Sequence, residues 1–174
     1  IIFYSLCRTF VNIHQLNGKI NMVIYMIDNN LRYCREELEM TQTELGYVFG
    51  VTKQTVSNWE NGNDIIPLKK LVRFCNLYHF PIDYVIGLQK IKKDATTFEK
   101  INKKNIGAKL KEKRKELGLS QQYIADECSI SQTTYSNYEL GINLITTSTL
   151  FTICKNHKIS MEYFLDKKMD NLNT

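Results

Sequence analysis

The sequence predicts an all-α chain built from two tandem copies of one five-helix domain. A shift of 79 residues places Leu31 on Leu110 without a gap, and the same shift places residues 59–62 (WENG) on residues 138–141 (YELG). In both copies the apolar residues recur with a helical period, and no alternating strand pattern is present. Two copies are too few for a solenoid, so the repeat indicates a pair of tandem domains.

The first two helices of copy one are marked by periodicity and capping. Thr41 is a good N-cap, and Glu44 three residues later completes a capping box for a second helix that extends to Phe49. Gly50 suits the tight turn that follows because glycine tolerates a positive φ. The first helix is predicted from four apolar residues at helical spacing: Ile27, Leu31, Cys34 and Leu38.

The remaining helices of copy one are bounded by glycine and proline. Thr52 caps a third helix that ends at Asn61-Gly62, Pro67 suits the first turn of a fourth, and Pro81 opens a short fifth helix stopped by Gly87. In copy two, Ser129 takes the place of Gly50, so we expect that turn either to be costlier or to have a different geometry. The helices expected in copy two lie near 106–117, 121–127, 132–139, 146–157 and 160–165.

These boundaries divide the chain into two domains joined by a basic linker, which is expected to be an extended tether or a helix. We interpret the first residues as an N-terminal arm or as an artefact of upstream translation, because Met22 and Met26 stand just before the first domain. The predicted segments are 1–26 for the arm, 27–87 for domain 1, 88–105 for the linker, 106–166 for domain 2 and 167–174 for the tail.

The charge of the chain is concentrated around the linker. The net charge of the 174 residues is +5, but the segment from Lys90 to Glu116 alone carries eleven basic and four acidic residues, a local charge of +7. A basic patch of this density attracts a polyanion such as DNA through counterion release. A solvated linker with exposed lysines would give the same count, so charge alone does not decide between these interpretations.

Several other classes of protein are disfavoured by composition. No CxxC pair, Ser/His/Asp set or phosphate-binding loop is present, so we expect no enzyme, no metal and no cofactor. No apolar run is long enough to span a bilayer, and no signal peptide is evident. An odd number of cysteines without a secretory signal fits reduced thiols in the cytoplasm. They are Cys7, Cys34, Cys75, Cys128 and Cys154.

One stretch of each copy has the pattern of two helices crossing at a tight turn. The stretches are TQTELGYVFGVTKQTVSNWENG and SQQYIADECSISQTTYSNYELG, with small Gly46 or Ala125 at the close approach and apolar Val51 or Ile130 after the turn. Both resemble the helix-turn-helix of the Cro and lambda-repressor-like (XRE-type) family. The resemblance covers about 27–87 and 106–165 and implies a transcriptional regulator that binds double-stranded DNA.

The outward side of each third helix suits the major groove, where amides, hydroxyls and lysine can read base edges. The resemblance implies base contacts from Lys53, Gln54 and Asn58 and from their counterparts, and a phosphate and base-edge clamp from the glutamine that opens each second helix. The full predicted DNA-binding set is Gln42, Thr52, Lys53, Gln54, Thr55, Ser57, Asn58 and Asn61 in copy one, and Gln121, Ser131, Gln132, Thr133, Thr134, Ser136 and Asn137 in copy two.

Two ion pairs recur at the same separation in both copies. The resemblance implies that Arg35 pairs with Glu60, and Arg114 with Glu139, bridging the first helix to the end of the third. We interpret both pairs as structural, with the arginine also able to contact phosphate. Trp59 and its counterpart Tyr138 are expected in the core.

The relation between the two copies leaves alternatives open. One is an intramolecular pseudo-dimer on a single asymmetric operator, acting as a repressor-like regulator. Another is that copy two, with Ser129 in its turn and Leu140 in place of Asn61, mediates homodimerisation or binds a protein partner, as in an antitoxin or protein-interaction module. No domain for a small-molecule effector is evident.

Overall fold

The computed structural model describes residues 29–168, and within this range the chain is helical, with one isolated β-bridge and no strand. The predicted all-α class is therefore confirmed. Ile27, the predicted N-terminal arm and most of the predicted tail lie outside the described residues. Copy one contains α1 (Leu31–Glu37), α2 (Gln42–Phe49), α3 (Lys53–Glu60), α4 (Leu68–Tyr78) and α5 (Ile82–Val85). Copy two contains α6 (Lys103–Glu116), α7 (Gln121–Glu127), α8 (Gln132–Glu139), α9 (Thr147–His157) and a final 3₁₀ helix (Met161–Phe164).

Side-chain caps set the helix starts that position the helix-turn-helix. The hydroxyl of Thr41 accepts the N–H of Glu44 over 3.2 Å, and the Glu44 carboxylate accepts the N–H of Thr41 over 2.7 Å, which confirms the predicted capping box. Thr52 caps α3, and Ser131 caps α8 in the same way. Each cap satisfies backbone N–H groups that have no partner within the helix.

Two helix starts and the type of one helix differ from the expectation. Helix α6 begins at Lys103, three residues earlier than predicted, because Asn102 accepts the N–H groups of Lys104 and Asn105 and caps the helix there. Pro67 is the N-cap of α4 and not part of its first turn. The last helix of copy two is a 3₁₀ helix, whereas its counterpart α5 is α-helical.

The turn between the second and third helices has the same shape in both copies. Gly50 has φ 62° and Ser129 has φ 53°, both in the left-handed region. At Gly46 an added Cβ would lie 2.7 Å from the carbonyl oxygen of Val51, so the close approach predicted for this position is real. In copy two Ala125 is fully buried at the equivalent place.

The two copies share one hydrophobic core and are joined by buried hydrogen bonds. The Thr147 hydroxyl, at the start of α9, donates to the carbonyl oxygen of Ile66 over 2.8 Å. The N–H of Met161 donates to Asp83 Oδ1 over 2.9 Å and so connects the 3₁₀ helix to α5. Both contacts are buried, and both cross from one copy to the other.

The segment between the copies is extended and held against them. Phe98 is buried, and its N–H and carbonyl both bond to the Asn76 side chain at 2.9 Å and 2.8 Å. Phe98 also forms an isolated antiparallel bridge with Lys167. Of the two forms expected for the linker, a tether or a helix, it is therefore not a helix before α6 begins at Lys103, and Phe98 holds it against Asn76 of α4.

Candidate nucleic-acid interface

Helices α3 and α8 each have one buried side and one exposed side. Val56 and Trp59 of α3 are buried, as are Tyr135 and Tyr138 of α8, in agreement with the core role expected for Trp59 and Tyr138. The exposed side of α3 carries Lys53, Gln54, Ser57 and Asn58, with Ser57 and Asn58 partly exposed. The corresponding residues of α8 are Gln132, Thr133, Ser136 and Asn137. The predicted base-reading residues of each copy therefore lie along one surface.

A hydrogen-bonded set in copy one fixes the end of α3 against α1 and α2. Arg35 Nε donates to Glu60 Oε1 over 2.5 Å, and Arg35 Nη2 donates to Glu60 Oε2 over 3.1 Å. Gln42 Nε2, from the first residue of α2, donates to Glu60 Oε2 over 2.9 Å. The amide group of Gln42 is thereby held with its N–H toward the protein.

Copy two repeats this set and extends it by one residue. Arg114 Nε donates to Glu139 Oε1 over 2.6 Å, and Gln121 Nε2 donates to Glu139 Oε2 over 2.7 Å. Gln132 Nε2 then donates to Gln121 Oε1 over 2.7 Å. A continuous relay therefore runs from partly buried Arg114 to exposed Gln132 at the start of α8. Copy one has Lys53 at the position of Gln132, and no equivalent bond is formed.

The protonation of Glu139 is set by this relay. Burial alone would raise the pKa of Glu139, but hydrogen bonds from Arg114 and Gln121 outweigh burial and hold the pKa below its usual value. The charged form is therefore the stable one in the folded protein. Its negative charge fixes the orientation of both donors.

Arg35 is engaged within the protein. Its Nη1 donates to the carbonyl of Met40 over 2.7 Å, and its other donors bond to Glu60 and Glu36. Only 10% of the Arg35 side chain is exposed. The structure thus places Arg35 in a structural ion pair and leaves little of it to reach phosphate.

The surface of copy one carries bonded polar pairs that copy two lacks. Gln54 Nε2 donates to Asn58 Oδ1 over 3.0 Å. Asn61 Nδ2 donates to Ser57 Oγ over 3.2 Å, and Arg32 Nη2 donates to Asn61 Oδ1 over 2.7 Å. Sequence reasoning missed Arg32, although its spacing of three residues from Arg35 places both on neighbouring faces of α1.

The hydroxyl groups at the starts of the recognition helices are shared with capping. Thr52 and Thr55 lie 3.0 Å apart through their hydroxyl oxygens, and Ser131 and Thr134 lie 2.8 Å apart. These four side chains are exposed or partly exposed, so a hydroxyl can still contact a ligand at the helix start. In the structure these side chains stabilise the N-termini of the two helices.

Much of the basic segment is paired within the protein. Lys92 bonds to Glu37, Lys103 to the carbonyl of Ile142, Lys109 to Asp166, and Lys113 to Glu116. Exposed lysines remain on one side of α6 at positions 104, 111 and 115. The basic segment therefore carries less uncompensated positive charge than its residue count suggests.

The cysteines are packing residues in the described part of the chain. Burial raises the pKa of Cys34 and of Cys128 to about 12, and it also raises the pKa values of Cys75 and Cys154. At neutral pH these thiols stay protonated and unreactive. Among residues 29–168 no group of cysteine, histidine and acidic side chains could hold a metal, and no helix there is long and apolar enough to cross a membrane.

The fold defines a protein with two helix-turn-helix domains, a class of domain that binds DNA. The helix-turn-helix family model matches residues 31–85 and 110–164, which together make up more than half of the chain. The chain therefore belongs to the XRE-type helix-turn-helix family, in two tandem copies. No curated protein matches it.

Proposed function

We propose that this protein is a sequence-specific, repressor-like transcriptional regulator that binds one asymmetric operator as an intramolecular pseudo-dimer. One observation supports this proposal above all. The two copies, each with its own polar recognition surface, are joined within one chain by buried contacts, such as that between Asp83 and Met161. Each surface belongs to a DNA-binding domain, and the joint between them is part of the folded core.

The chemistry of both surfaces supports base reading. Glutamine and asparagine can form paired hydrogen bonds with adenine, and lysine can bond the acceptors of guanine. In copy two the relay through Gln121 orients Gln132 before DNA is bound, which lowers the entropic cost of forming the contact. Copy one offers Lys53, Gln54 and Asn58 on the same side of α3. The predicted DNA-binding residues of both copies are retained in this proposal.

Differences between the copies support an operator with two unlike halves. The first two residues of the recognition helix are Lys53 and Gln54 in copy one, but Gln132 and Thr133 in copy two. Each good side-chain pair with a base contributes about 1–3 kcal/mol of discrimination. The two copies should therefore prefer different base pairs.

A second candidate function has one observation in its favour. Leu140 and Ile142, which follow α8, have 61% and 54% of their surface exposed, whereas copy one has Asn61 and Asn63 at these positions. Exposed apolar side chains favour a protein contact. In this alternative, copy two binds a protein partner, as in an antitoxin, and only copy one reads DNA.

Paired substitutions distinguish the two candidates. We expect that replacing Gln54 and Asn58 by alanine, and separately Gln132 and Asn137, will each weaken binding to a selected duplex and relax its sequence preference. Gln122 is exposed, and its side chain bonds to Asp126 on the same helix, so Gln122→Ala provides the control. A loss confined to the first pair would favour the protein-binding role for copy two.

A further inference from the structure

A row of three polar side chains crosses from α1 to the exposed end of α3 in copy one. Arg32 Nη2 donates to Asn61 Oδ1 over 2.7 Å, and Asn61 Nδ2 donates to Ser57 Oγ over 3.2 Å. The Arg32 side chain is 47% exposed, compared with 10% for Arg35 on the same helix. The row therefore presents a cation at the C-terminal end of the recognition helix.

The charge of Arg32 is only partly compensated by its neighbours. Its Nε lies 3.6 Å from Glu60 Oε2, but Glu60 is already engaged by the closer, bidentate contact with Arg35. A guanidinium group carries five N–H donors, and Nη1 of Arg32 has no acceptor among residues 29–168. Arg32 is thus oriented by protein groups on one side and offers donors to solvent on the other.

We propose that Arg32 contacts a backbone phosphate of the half-site bound by copy one, and that Asn61 positions it. The inference rests on the proposed function, because it takes α3 as the helix in the major groove. In that placement the end of α3 and the adjoining α1 approach the phosphates that flank the groove. The forked donors of arginine suit phosphate oxygens, and pre-orientation by Asn61 reduces the entropy lost on binding.

Copy two does not have this row. The positions of Arg32, Asn61 and Ser57 are taken by Lys111, Leu140 and Ser136. An exposed leucine cannot accept a hydrogen bond, so nothing in the row orients Lys111, whose ammonium is a compact, strongly hydrated charge. The two copies therefore differ in their contacts with the DNA backbone as well as in the bases they read.

The test is the salt dependence of binding to the selected operator, measured with the full chain. Loss of one phosphate contact lowers the slope of log affinity against log salt by about 0.9. Between 50 and 200 mM salt, Arg32→Gln should consequently lose about 3.5-fold less affinity than the wild type. Asn61→Leu, which installs the residue of copy two, should shift the slope in the same direction, and Arg32→Lys should restore part of it. Lys111→Gln is the matched control and should change the slope less than Arg32→Gln.

Ethylation interference adds a readout that a purely structural role would not change. In the wild type, modification of one phosphate in the half-site of copy one should block binding, and this block should disappear in Arg32→Gln. Circular dichroism checks that each variant remains helical. If the wild type selects an operator while Arg32→Gln keeps the same slope and the same blocked phosphate, the inference is wrong and the proposed function stands. If the wild type binds all duplexes alike, the proposed function fails, and the inference fails with it.

Discussion

The carboxylate of Asp83 in copy one accepts the backbone N–H of Met161 in copy two, with 2.9 Å between Oδ1 and N. The side chain of Asp83 is buried, and its Oδ2 accepts from Gln89 over 3.2 Å. The hydroxyl of Ser160 bonds to the same carboxylate. In copy one the residues equivalent to Ser160 and Met161 are Pro81 and Ile82, and proline has no hydroxyl that could bond to this carboxylate.

Removal of the Asp83 carboxylate should weaken the joint between the copies. Asp83→Ala leaves the buried N–H of Met161 without an acceptor, and we expect a loss of about 1–3 kcal/mol in the free energy of unfolding. Asp83→Asn keeps an acceptor oxygen for the N–H of Met161 and should not show this loss. Urea unfolding measures both. Asp94, which is exposed, provides the control, and equal stabilities of Asp83→Ala and Asp94→Ala would contradict the role of the contact.

The free energy of unfolding should depend on pH because Asp83 titrates. Burial raises the pKa of Asp83, and the charge of Glu162 raises it further, against the hydrogen bonds from Ser160, Met161 and Gln89. The stabilisation that neutral Asp83 gives is therefore full below its usual pKa of 3.8 and is lost as pH rises through the raised value. Asp83→Asn should gain stability relative to the wild type across this window, as measured by urea unfolding at successive pH values. A difference that is constant with pH would contradict the prediction.

Breaking the ion pair of copy two should be costly. Glu139→Ala strands the partly buried Arg114 and removes the acceptor of Gln121, so we expect a loss of about 3–5 kcal/mol in the free energy of unfolding. Glu116→Ala removes an exposed ion pair with Lys113 and should cost far less than Glu139→Ala. Because the pKa of Glu139 is lowered, its stabilisation is present above 4.5 and is lost as pH falls through the lowered value. Chemical unfolding measures both variants, and similar losses in the two would contradict the prediction.

A reciprocal exchange tests the turn. Ser129 has φ 53° and Gly50 has φ 62°, a backbone region that disfavours residues with a Cβ. We expect Ser129→Gly to raise the free energy of unfolding by about 1 kcal/mol and Gly50→Ser to lower it by a similar amount. An added Cβ at Gly50 would meet no atom within 4 Å, so that loss would report the backbone conformation alone. Thermal or urea unfolding gives both values, and changes of the same sign would refute this explanation.

The features that the sequence predicts well are those set by nearby residues. The capping box of Thr41 and Glu44 needs three residues of sequence, and the turn at Gly50 needs one residue able to adopt a positive φ. The internal repeat then carries the same prediction from copy one to copy two. The early start of α6 is also local in cause, since Asn102 caps it, but asparagine is equally common in turns and does not mark a helix start by itself.

The features that the sequence does not reveal depend on residues distant in the chain. Arg32 meets Asn61 only because α1 packs across the end of α3, and Asp83 meets Met161 only because the two copies share a core. Neither contact follows a periodic pattern or a motif. The sequence likewise does not predict the hydrogen bond between Gln121 and Gln132, although it predicts that both residues lie at the interface. The residue types thus predict which surface faces DNA. The packing of distant residues determines which of its side chains are held in one orientation by hydrogen bonds.

If one chain reads one operator through two unlike recognition surfaces, the operator itself will show it. Binding sites selected from random duplexes with the full chain, and then footprinted, should have two different half-sites, both protected by a single chain. A palindromic site occupied by two chains, or a single protected half-site, would show that the chain does not bind as an intramolecular pseudo-dimer.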